Sequence, residues 1–221
     1  MEQETTNALA GFFTKGGWYM YVIAAIGVVA TGTIIERAYR IFFFFSVNGT
    51  AFMGQIQKLV MADQIEKAIK MCNAESEAAL ARVLKAGLQR ANRGPVEIQN
   101  AVDETSLEVI PELEKRTPFL SMWANVATLT GLLGTIAGLI KAFAGVAAAA
   151  AADKQRILAE GISQAMYTTL FGLITAIPIL IAHSFIQNKT AKLVKDLDLF
   201  SVRLINLLSA RYKGTLNDEA A

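Results

Sequence analysis

The amino-acid sequence predicts an all-α membrane protein with three transmembrane helices and extended cytoplasmic helices. Hydrophobic residues make up 53% of the 221 residues, and the charged residues are confined to separate segments of the chain. Three stretches contain no charged side chain: 16–35, 118–140 and 161–182. Each has roughly the 20 residues that an α-helix needs to cross the hydrocarbon core of a bilayer. No alternation of polar and apolar residues indicates a β-strand.

The lysines and arginines predict which side of the membrane each connecting segment faces. Of the 21 basic residues, eleven lie in 36–117 and six follow residue 188. The N-terminal segment has Lys15, the link between the second and third spans has Lys154 and Arg156, and Lys141 lies within the second span. Cytoplasmic loops carry the excess of Lys and Arg. We therefore expect a periplasmic N-terminus, a periplasmic link between the second and third spans, and a cytoplasmic C-terminus. The net charge of +2 gives no indication of a nucleic-acid partner.

The first apolar stretch is predicted to be a retained helix, because acidic Glu2 and Glu4 precede it and it is longer than the apolar core of a signal peptide. The whole chain then divides at the changes in charge and composition. The expected segments are a periplasmic N-terminus 1–15, transmembrane helix 1 at 16–45, a cytoplasmic helical segment 46–117, transmembrane helix 2 at 118–150, a periplasmic link 151–160, transmembrane helix 3 at 161–187, and a cytoplasmic C-terminal helix and tail 188–221.

The two cytoplasmic segments carry helical patterns. Apolar residues recur every three or four positions in 63–91, and Gly94 with Pro95 marks a break. A second helical pattern starts at Val96 and points toward the second span, where Pro111 and Pro118 set a kink or the start of a helix. The tail 189–212 places leucines and a phenylalanine on one stripe, which predicts an amphipathic helix that packs against a partner surface.

The short link makes the second and third spans an antiparallel hairpin. A turn centred near residue 152 puts Thr135 and Thr169 at the same depth, and it places Lys141 near Glu160. Thr128 and Thr135 share one face of the second span through their heptad-like spacing. On the third span, Gln164 and Thr168 begin a similar polar face.

Two interpretations of this hairpin remain open at the level of residue types. Small residues and hydroxyls are the ordinary materials of membrane-helix packing, since small residues let the backbones approach. The residues with that role are Gly131, Gly134, Gly138 and Gly172. Alternatively, two threonines at one depth form part of a polar path that relays protons through water and hydroxyl groups.

A proton path requires an ionisable group inside the membrane. The candidates here lie near the ends of the spans. Glu36 is expected at the inner interface, and Glu160 is expected at the outer start of the third span, where it can pair with Lys141. The carboxylate of such a path is therefore expected to come from another subunit.

Sequence features of enzymes, metal sites and cofactor sites are lacking. Cys72 is the one cysteine and His183 the one histidine, so no Cys/His metal cluster can form. The glycines before Lys141 lack the GK[ST] ending of a phosphate-binding loop. We expect no enzymatic activity, no metal and no cofactor.

Two motifs carry a resemblance to a known family. GLLGTIAGLIKAF at 131–143 and GISQAMYTTLFGLITAIP at 161–178 resemble the second-span and third-span signatures of the MotA/TolQ/ExbB proton-channel family. The three-span plan is similar to that of ExbB and TolQ over nearly the whole chain. One position departs from the pattern, because Gln164 stands where many ExbB and TolQ sequences have glutamate.

The resemblance implies a pentameric ring in the bacterial inner membrane, around the single membrane helices of an ExbD- or TolR-like partner that carries an aspartate. Thr135 and Thr169 match the family's two threonines and would face that aspartate, and Thr128, Thr168 and Gln164 would line the same pore. The implied function is a proton-driven motor for an envelope process such as TonB-dependent uptake, with a TonB- or TolA-like protein as a further partner. TolQ-like envelope maintenance, a gliding-motility motor and a passive membrane scaffold remain the alternatives.

Overall fold

The computed structural model describes residues 16–45 and 47–219, with side chains except at 43, 44 and 214–219. These residues form helices joined by short turns, and no strand occurs among them. The predicted all-α fold class is confirmed. The predicted periplasmic segment 1–15 lies outside the described residues.

Seven α-helices and one short π-helical turn make up the described chain. Their bounds are α1 Trp18–Tyr39, continued by the π-helical turn Arg40–Phe44, then α2 Gly49–Met61, α3 Ile65–Ala74, α4 Ala79–Gln89, α5 Pro95–Glu114, α6 Thr117–Ala148 and α7 Lys154–Glu219. The chain divides into two compact units. Among the described residues, the first comprises 16–36 with 116–185, and the second comprises 37–45 and 47–115 with 186–219.

Three helical stretches are long and apolar enough to cross a membrane: Trp18–Phe42, Pro95–Ala148 and Lys154–Lys213. They include all of the three apolar stretches expected from the sequence except Gly16 and Gly17, so the prediction of three candidate membrane helices is confirmed. The third stretch and the predicted cytoplasmic tail helix belong to one continuous helix, α7. Pro178 lies inside it without ending it.

The first unit buries small residues and exposes large apolar ones. Helix α6 buries an alanine- and glycine-rich stripe, whereas its large side chains point outward, for example Leu129 and Ile140. The buried residues of α6 are Thr117, Leu120, Ala124, Ala127, Gly131, Gly134, Gly138 and Ala142. This pattern is typical of helices that pack closely with each other and present their bulky side chains to lipid.

The second unit has the opposite pattern. Helices α2 to α5 and the C-terminal half of α7 enclose large apolar side chains, which form its core. Fully buried members include Ile56, Leu84, Ile98 and Leu204. The unit therefore resembles a water-soluble helical bundle, in which burial of apolar area is the main stabilising term.

Two breaks divide the helical pattern before the second span. Gly94 has φ +96°, a conformation that glycine adopts readily, and Pro95 begins α5. The predicted break at Gly94 and Pro95 is thus confirmed. The second helical pattern does not continue into the second span, because α5 ends at Glu114 and Arg116 has a left-handed φ of 64° before α6 begins.

Candidate functional site

The candidate site lies where α6 and α7 pack against each other within the first unit. At the centre of this interface, a Cβ added to Gly131 would lie 3.0 Å from the backbone oxygen of Thr168 and 3.2 Å from the Cα of Gly172. Both distances are shorter than ordinary van der Waals contact. The backbones of the two helices therefore approach so closely that only a residue without a side chain fits.

The same close approach continues along the interface. A Cβ on Gly134 would lie 2.8 Å from the Cβ of Thr168, and one on Gly138 would lie 3.2 Å from the backbone nitrogen of Ala165. The glycines expected to serve helix packing, Gly131, Gly134, Gly138 and Gly172, thus all lie in the α6–α7 interface. Close packing fixes the relative depth of the two helices.

Thr135 and Thr169 meet beside this glycine seam. Their hydroxyl groups hydrogen-bond directly to each other, and the Thr135 hydroxyl oxygen also lies 3.1 Å from the carbonyl oxygen of Gly131 and 3.3 Å from that of Ala165. Both side chains are half-buried. The equal depth expected from the sequence is therefore realised as direct contact.

This arrangement leaves hydrogen-bonding capacity on the hydroxyl pair. A threonine hydroxyl has one donor and two acceptor positions. If Thr135 donates to a backbone carbonyl and accepts from Thr169, each oxygen still has an acceptor position for water or for a protonated carboxyl group. The pair can orient and pass hydrogen bonds, but it cannot supply the titrating group.

Thr128 lies two helical turns before Thr135 on the same side of α6. Its side chain is exposed, and its hydroxyl donates to the carbonyl oxygen of Ala124 at 3.1 Å. Thr128 and Thr135 thus form a short polar stripe on the surface of the helix pair, which remains accessible to a neighbouring helix.

Thr168 has a different environment from the one expected. Its side chain is 0% exposed, its hydroxyl donates to the carbonyl oxygen of Ala165 at 2.8 Å, and its Cβ packs against Gly134. Within this chain Thr168 is a packing residue of the α6–α7 interface, not a residue of an accessible surface. Adjacent positions on a helix point about 100° apart, so Thr168 and Thr169 cannot share one environment.

Gln164 is directed toward Gly17, the residue that precedes α1. A Cβ on Gly17 would lie only 2.7 Å from Gln164 Nε2, and Gly17 has φ +73°. Thr175, one heptad after Thr168, lies beside Gly27 of α1, so the polar face predicted for the third span meets two different neighbours, since Thr168 packs against α6. Because heptad spacing defines a face but not its neighbour, the sequence pattern did not reveal this contact.

The charged residues near the link also pair differently from the expectation. Helix α7 begins at Lys154, so Glu160 lies in its second turn and binds Arg156, four residues earlier, at 3.0 Å. Arg156 also lies 3.4 Å from Asp153. Lys141 is exposed, and the described part of the chain contains no ion pair between it and Glu160.

Glu36 forms an ion pair with Arg116, the residue of positive φ that precedes α6. In the second unit, the neighbouring Arg37 is 1% exposed and donates from Nη2 to the carbonyl oxygen of Leu113, near the C-terminal end of α5. Sequence reasoning missed both arginines. A cation is favourable near the C-terminus of a helix, but the sequence does not show that Arg37 and Leu113 are close in space.

Within residues 16–45 and 47–219, no group of three or more His, Cys, Asp or Glu side chains is arranged to hold a metal ion.

Comparisons with known proteins identify the family of the chain. The model of the MotA/TolQ/ExbB proton channel family matches residues 75–199. A putative biopolymer transport protein ExbB homolog from Methanothermobacter thermautotrophicus is 24% identical over 189 residues, which are 85% of this chain and 66% of that protein. The Tol-Pal system protein TolQ of Haemophilus influenzae is 35% identical over 105 residues, which are 48% of this chain and 46% of TolQ.

These matches span two thirds or less of the relatives' own lengths. Among solved structures, the C. jejuni MotAB structure is similar with a TM-score of 0.64 at 16% identity, over 95% of this chain and 87% of that one. At this identity the likeness shows a shared fold. Since the family model covers more than half of the chain, including both halves of the α6–α7 hairpin, the chain belongs to the MotA/TolQ/ExbB proton channel family.

Proposed function

We propose that this protein is a proton-channel subunit of an inner-membrane motor driven by the proton-motive force. The observation that carries the proposal is the contact between the Thr135 and Thr169 hydroxyls at the accessible edge of the α6–α7 interface. Unlike the buried Thr168, this pair is half-buried, so a group on a neighbouring helix can reach it. Family membership supports the same function.

The proton-carrying group comes from a partner. The apolar stretches 16–35, 118–140 and 161–182 contain no Asp or Glu. A membrane proton path requires an ionisable group. An ExbD- or TolR-like protein with one membrane helix and an aspartate in it supplies that group, and Thr128, Thr135 and Thr169 face it. Several copies of this chain, five by family analogy, surround the partner helices.

The N-terminus and the link before α7 face the periplasm, and the second unit lies in the cytoplasm, in accordance with the distribution of basic residues. The partner's movement relative to the ring powers an envelope process. TonB-dependent uptake is the first candidate, because a relative of this chain is named a biopolymer transport protein. The similarity to TolQ makes the Tol-Pal system the second.

The competing function is a passive membrane scaffold. The glycine interface and buried Thr168 are sufficient for that role, because they need only helix packing. The two functions differ in what they require of Thr135 and Thr169, since a scaffold requires no accessible hydroxyl.

The test replaces these hydroxyls without changing side-chain volume much. Thr135→Val and Thr169→Val are each co-expressed with the partner, and proton flux is measured in reconstituted vesicles. We expect flux to fall at least about tenfold, because a hydrogen bond to a charged group is worth about 1.5–3 kcal/mol. Thr135→Ser, which keeps the hydroxyl, should retain most of the flux.

Thr130→Val is the matched control. Its hydroxyl bonds to the carbonyl oxygen of Val126 on another side of α6. This variant should conduct like the unmodified protein. If Thr135→Val and Thr169→Val assemble with the partner and conduct normally, the channel proposal fails and the scaffold interpretation stands.

A further inference from the structure

The polar stripe formed by Thr128 and Thr135 continues toward the N-terminal end of α6, through Asn125 and Ser121. With a rotation of about 100° per residue, these four side chains lie within about 80° of one another around the helix axis. Asn125 and Thr128 are exposed, and Ser121 and Thr135 are half-buried. The polar stripe therefore runs from the hydroxyl pair almost to the start of α6.

The polar stripe ends at Thr135. Farther along the same side of α6 the side chains are apolar: Leu139, Phe143 and Val146. Leu132 also lies on this side, but it is farther from the buried glycine seam than Thr135 and therefore flanks the stripe. On this side of the helix, polar side chains thus extend from Thr135 toward the start of α6 and not toward its end.

Asn125 is the most polar member of the stripe. Its amide has two donor hydrogens and an acceptor oxygen, and the described residues contain no hydrogen-bond partner for this side chain. Asn125 follows Pro118, where the uncharged stretch begins, by seven residues, so it lies about 10 Å inside that stretch. A polar group without a partner is unfavourable in hydrocarbon. The amide therefore faces water or a polar group of another chain, and not lipid.

We propose that Asn125, with Ser121 and Thr128, lines a water-filled passage from the Thr135–Thr169 hydroxyl pair to the cytoplasm. This inference rests on the proposed function and on its orientation, in which α6 begins at the cytoplasmic side. The partner's carboxyl group gives its proton to water beside the hydroxyl pair and becomes a carboxylate. The water in the passage then carries that proton past Asn125 to the cytoplasm. Asn125 is a positioning residue, because its amide holds the water by hydrogen bonds.

The extent of the stripe favours water over a hydrogen bond from Asn125 to a neighbouring helix. From Thr135 to Ser121 the stripe is about 21 Å long, whereas one contact between helices requires one polar residue. The polarity also changes at Thr135, the depth at which the partner's carboxyl group is proposed to bind. A packing surface has no reason to change there. On α7, Leu173 and Leu180 follow Thr169 on the same side, so α6 supplies the polar groups of the passage.

Thiol labelling tests for water in the passage. Asn125→Cys, Ser121→Cys and Val126→Cys are each made in the full-length chain with Cys72→Ala and co-expressed with the partner. Inside-out membrane vesicles are then treated with a small charged methanethiosulfonate. Asn125→Cys and Ser121→Cys should react at least about tenfold faster than Val126→Cys, because the reactive thiolate forms where the thiol meets water. Val126 is the matched control, since it is adjacent and exposed but lies on the apolar side of α6.

Proton flux in reconstituted vesicles tests the role of the amide. Asn125→Leu, which has a similar size and no polar group, should lower the flux at least about tenfold, because it interrupts the hydrogen-bonded water. Asn125→Gln keeps the amide and should retain most of the flux, and Val126→Leu should conduct normally. Normal flux in an Asn125→Leu complex that retains the partner overturns the proposal. An equal loss in Asn125→Gln also overturns it, since that result indicates a packed contact.

The labelling experiment requires no proton conduction, so it decides the proposal even if Asn125→Leu does not assemble with the partner. Equal labelling rates of Asn125→Cys and Val126→Cys overturn the passage. If Thr135→Val stops the flux and Asn125→Cys is unreactive, the channel proposal stands and the passage along α6 is rejected. If Thr135→Val conducts normally, the channel proposal itself fails, whatever the labelling rates are.

Discussion

The two units of this protein place the same kinds of residue on opposite sides of their helices. In the first unit, glycine, alanine and Thr168 are buried, and Leu129 is 63% exposed. In the second unit, Leu84 and Ile56 are 0% exposed, and the described charged residues other than Arg37 are partly or fully exposed. The contrast shows that each unit is built for its own solvent, with lipid around the first and water around the second.

The physical reason lies in what drives helices together. In water, burying a leucine or isoleucine side chain contributes roughly 1.5–3 kcal/mol. In lipid that gain is absent, and close backbone approach and hydrogen bonds take its place. Helix α7 shows both kinds of packing. Its large apolar side chains Leu173 and Ile177 are exposed, whereas Leu197 and Leu208 are buried.

The largest effect is expected from a substitution in the apolar core of the second unit. Leu84→Ala should destabilise the second unit by about 2–5 kcal/mol, because it leaves a cavity in a fully buried site. Hydrogen exchange of the α4 and α5 amides measures the loss. Leu107→Ala, on the exposed side of α5, is the control and should change stability little. An equal loss of stability in the two variants would contradict the conclusion that buried apolar side chains stabilise the second unit.

Cys72 provides a reporter for the same core. Burial raises the pKa of its thiol from the ordinary 9.0 to about 11. Since a raised pKa leaves fewer thiolates, alkylation of the folded protein at pH 8 should be at least about 100-fold slower than in urea. The folded-state rate should rise with pH up to about 11. Rapid labelling without denaturant would show that the core around Cys72 is open.

Helix packing in the first unit is tested by adding one methyl group. Gly131→Ala should destabilise the α6–α7 pair by about 1–3 kcal/mol, because the new Cβ would press on the backbone of α7. Gly32→Ala is the matched control, because a Cβ there has no neighbour within 4 Å. Unfolding in mixed detergent micelles measures both. A loss of stability in the control as large as in Gly131→Ala would contradict the role of close packing.

The smallest effect concerns the polar rim of the second unit. Arg211 binds Asp63 and also donates to Asn92 at 3.1 Å, so it ties α7 to two turns of the bundle. Because Asp63 is exposed, Arg211→Ala should cost only about 0.2–1 kcal/mol. Thermal unfolding measures the loss of stability at low and at high salt, with Lys70→Ala as the control. A loss of several kcal/mol would mean that the rim, and not the apolar core, stabilises this unit.

Local sequence patterns determined several features of the protein. Length and lack of charge defined three membrane helices, and Gly94 with Pro95 defined a helix break. The short link placed Thr135 and Thr169 at one depth. Each of these features depends on residues close in sequence, or on the equal rise per residue of two helices joined by a short link. They could therefore be predicted without knowing how any other helix packs.

Only the tertiary structure decided which neighbour each helix face meets. The periodicity of the third span places Gln164 and Thr168 on one polar face, but Gln164 lies beside Gly17, just before α1, and α6 covers Thr168. Similarly, Arg37 is buried because the end of α5 lies beside it. Helical periodicity fixes the direction of a side chain relative to its own axis, whereas its environment depends on packing between elements distant in sequence.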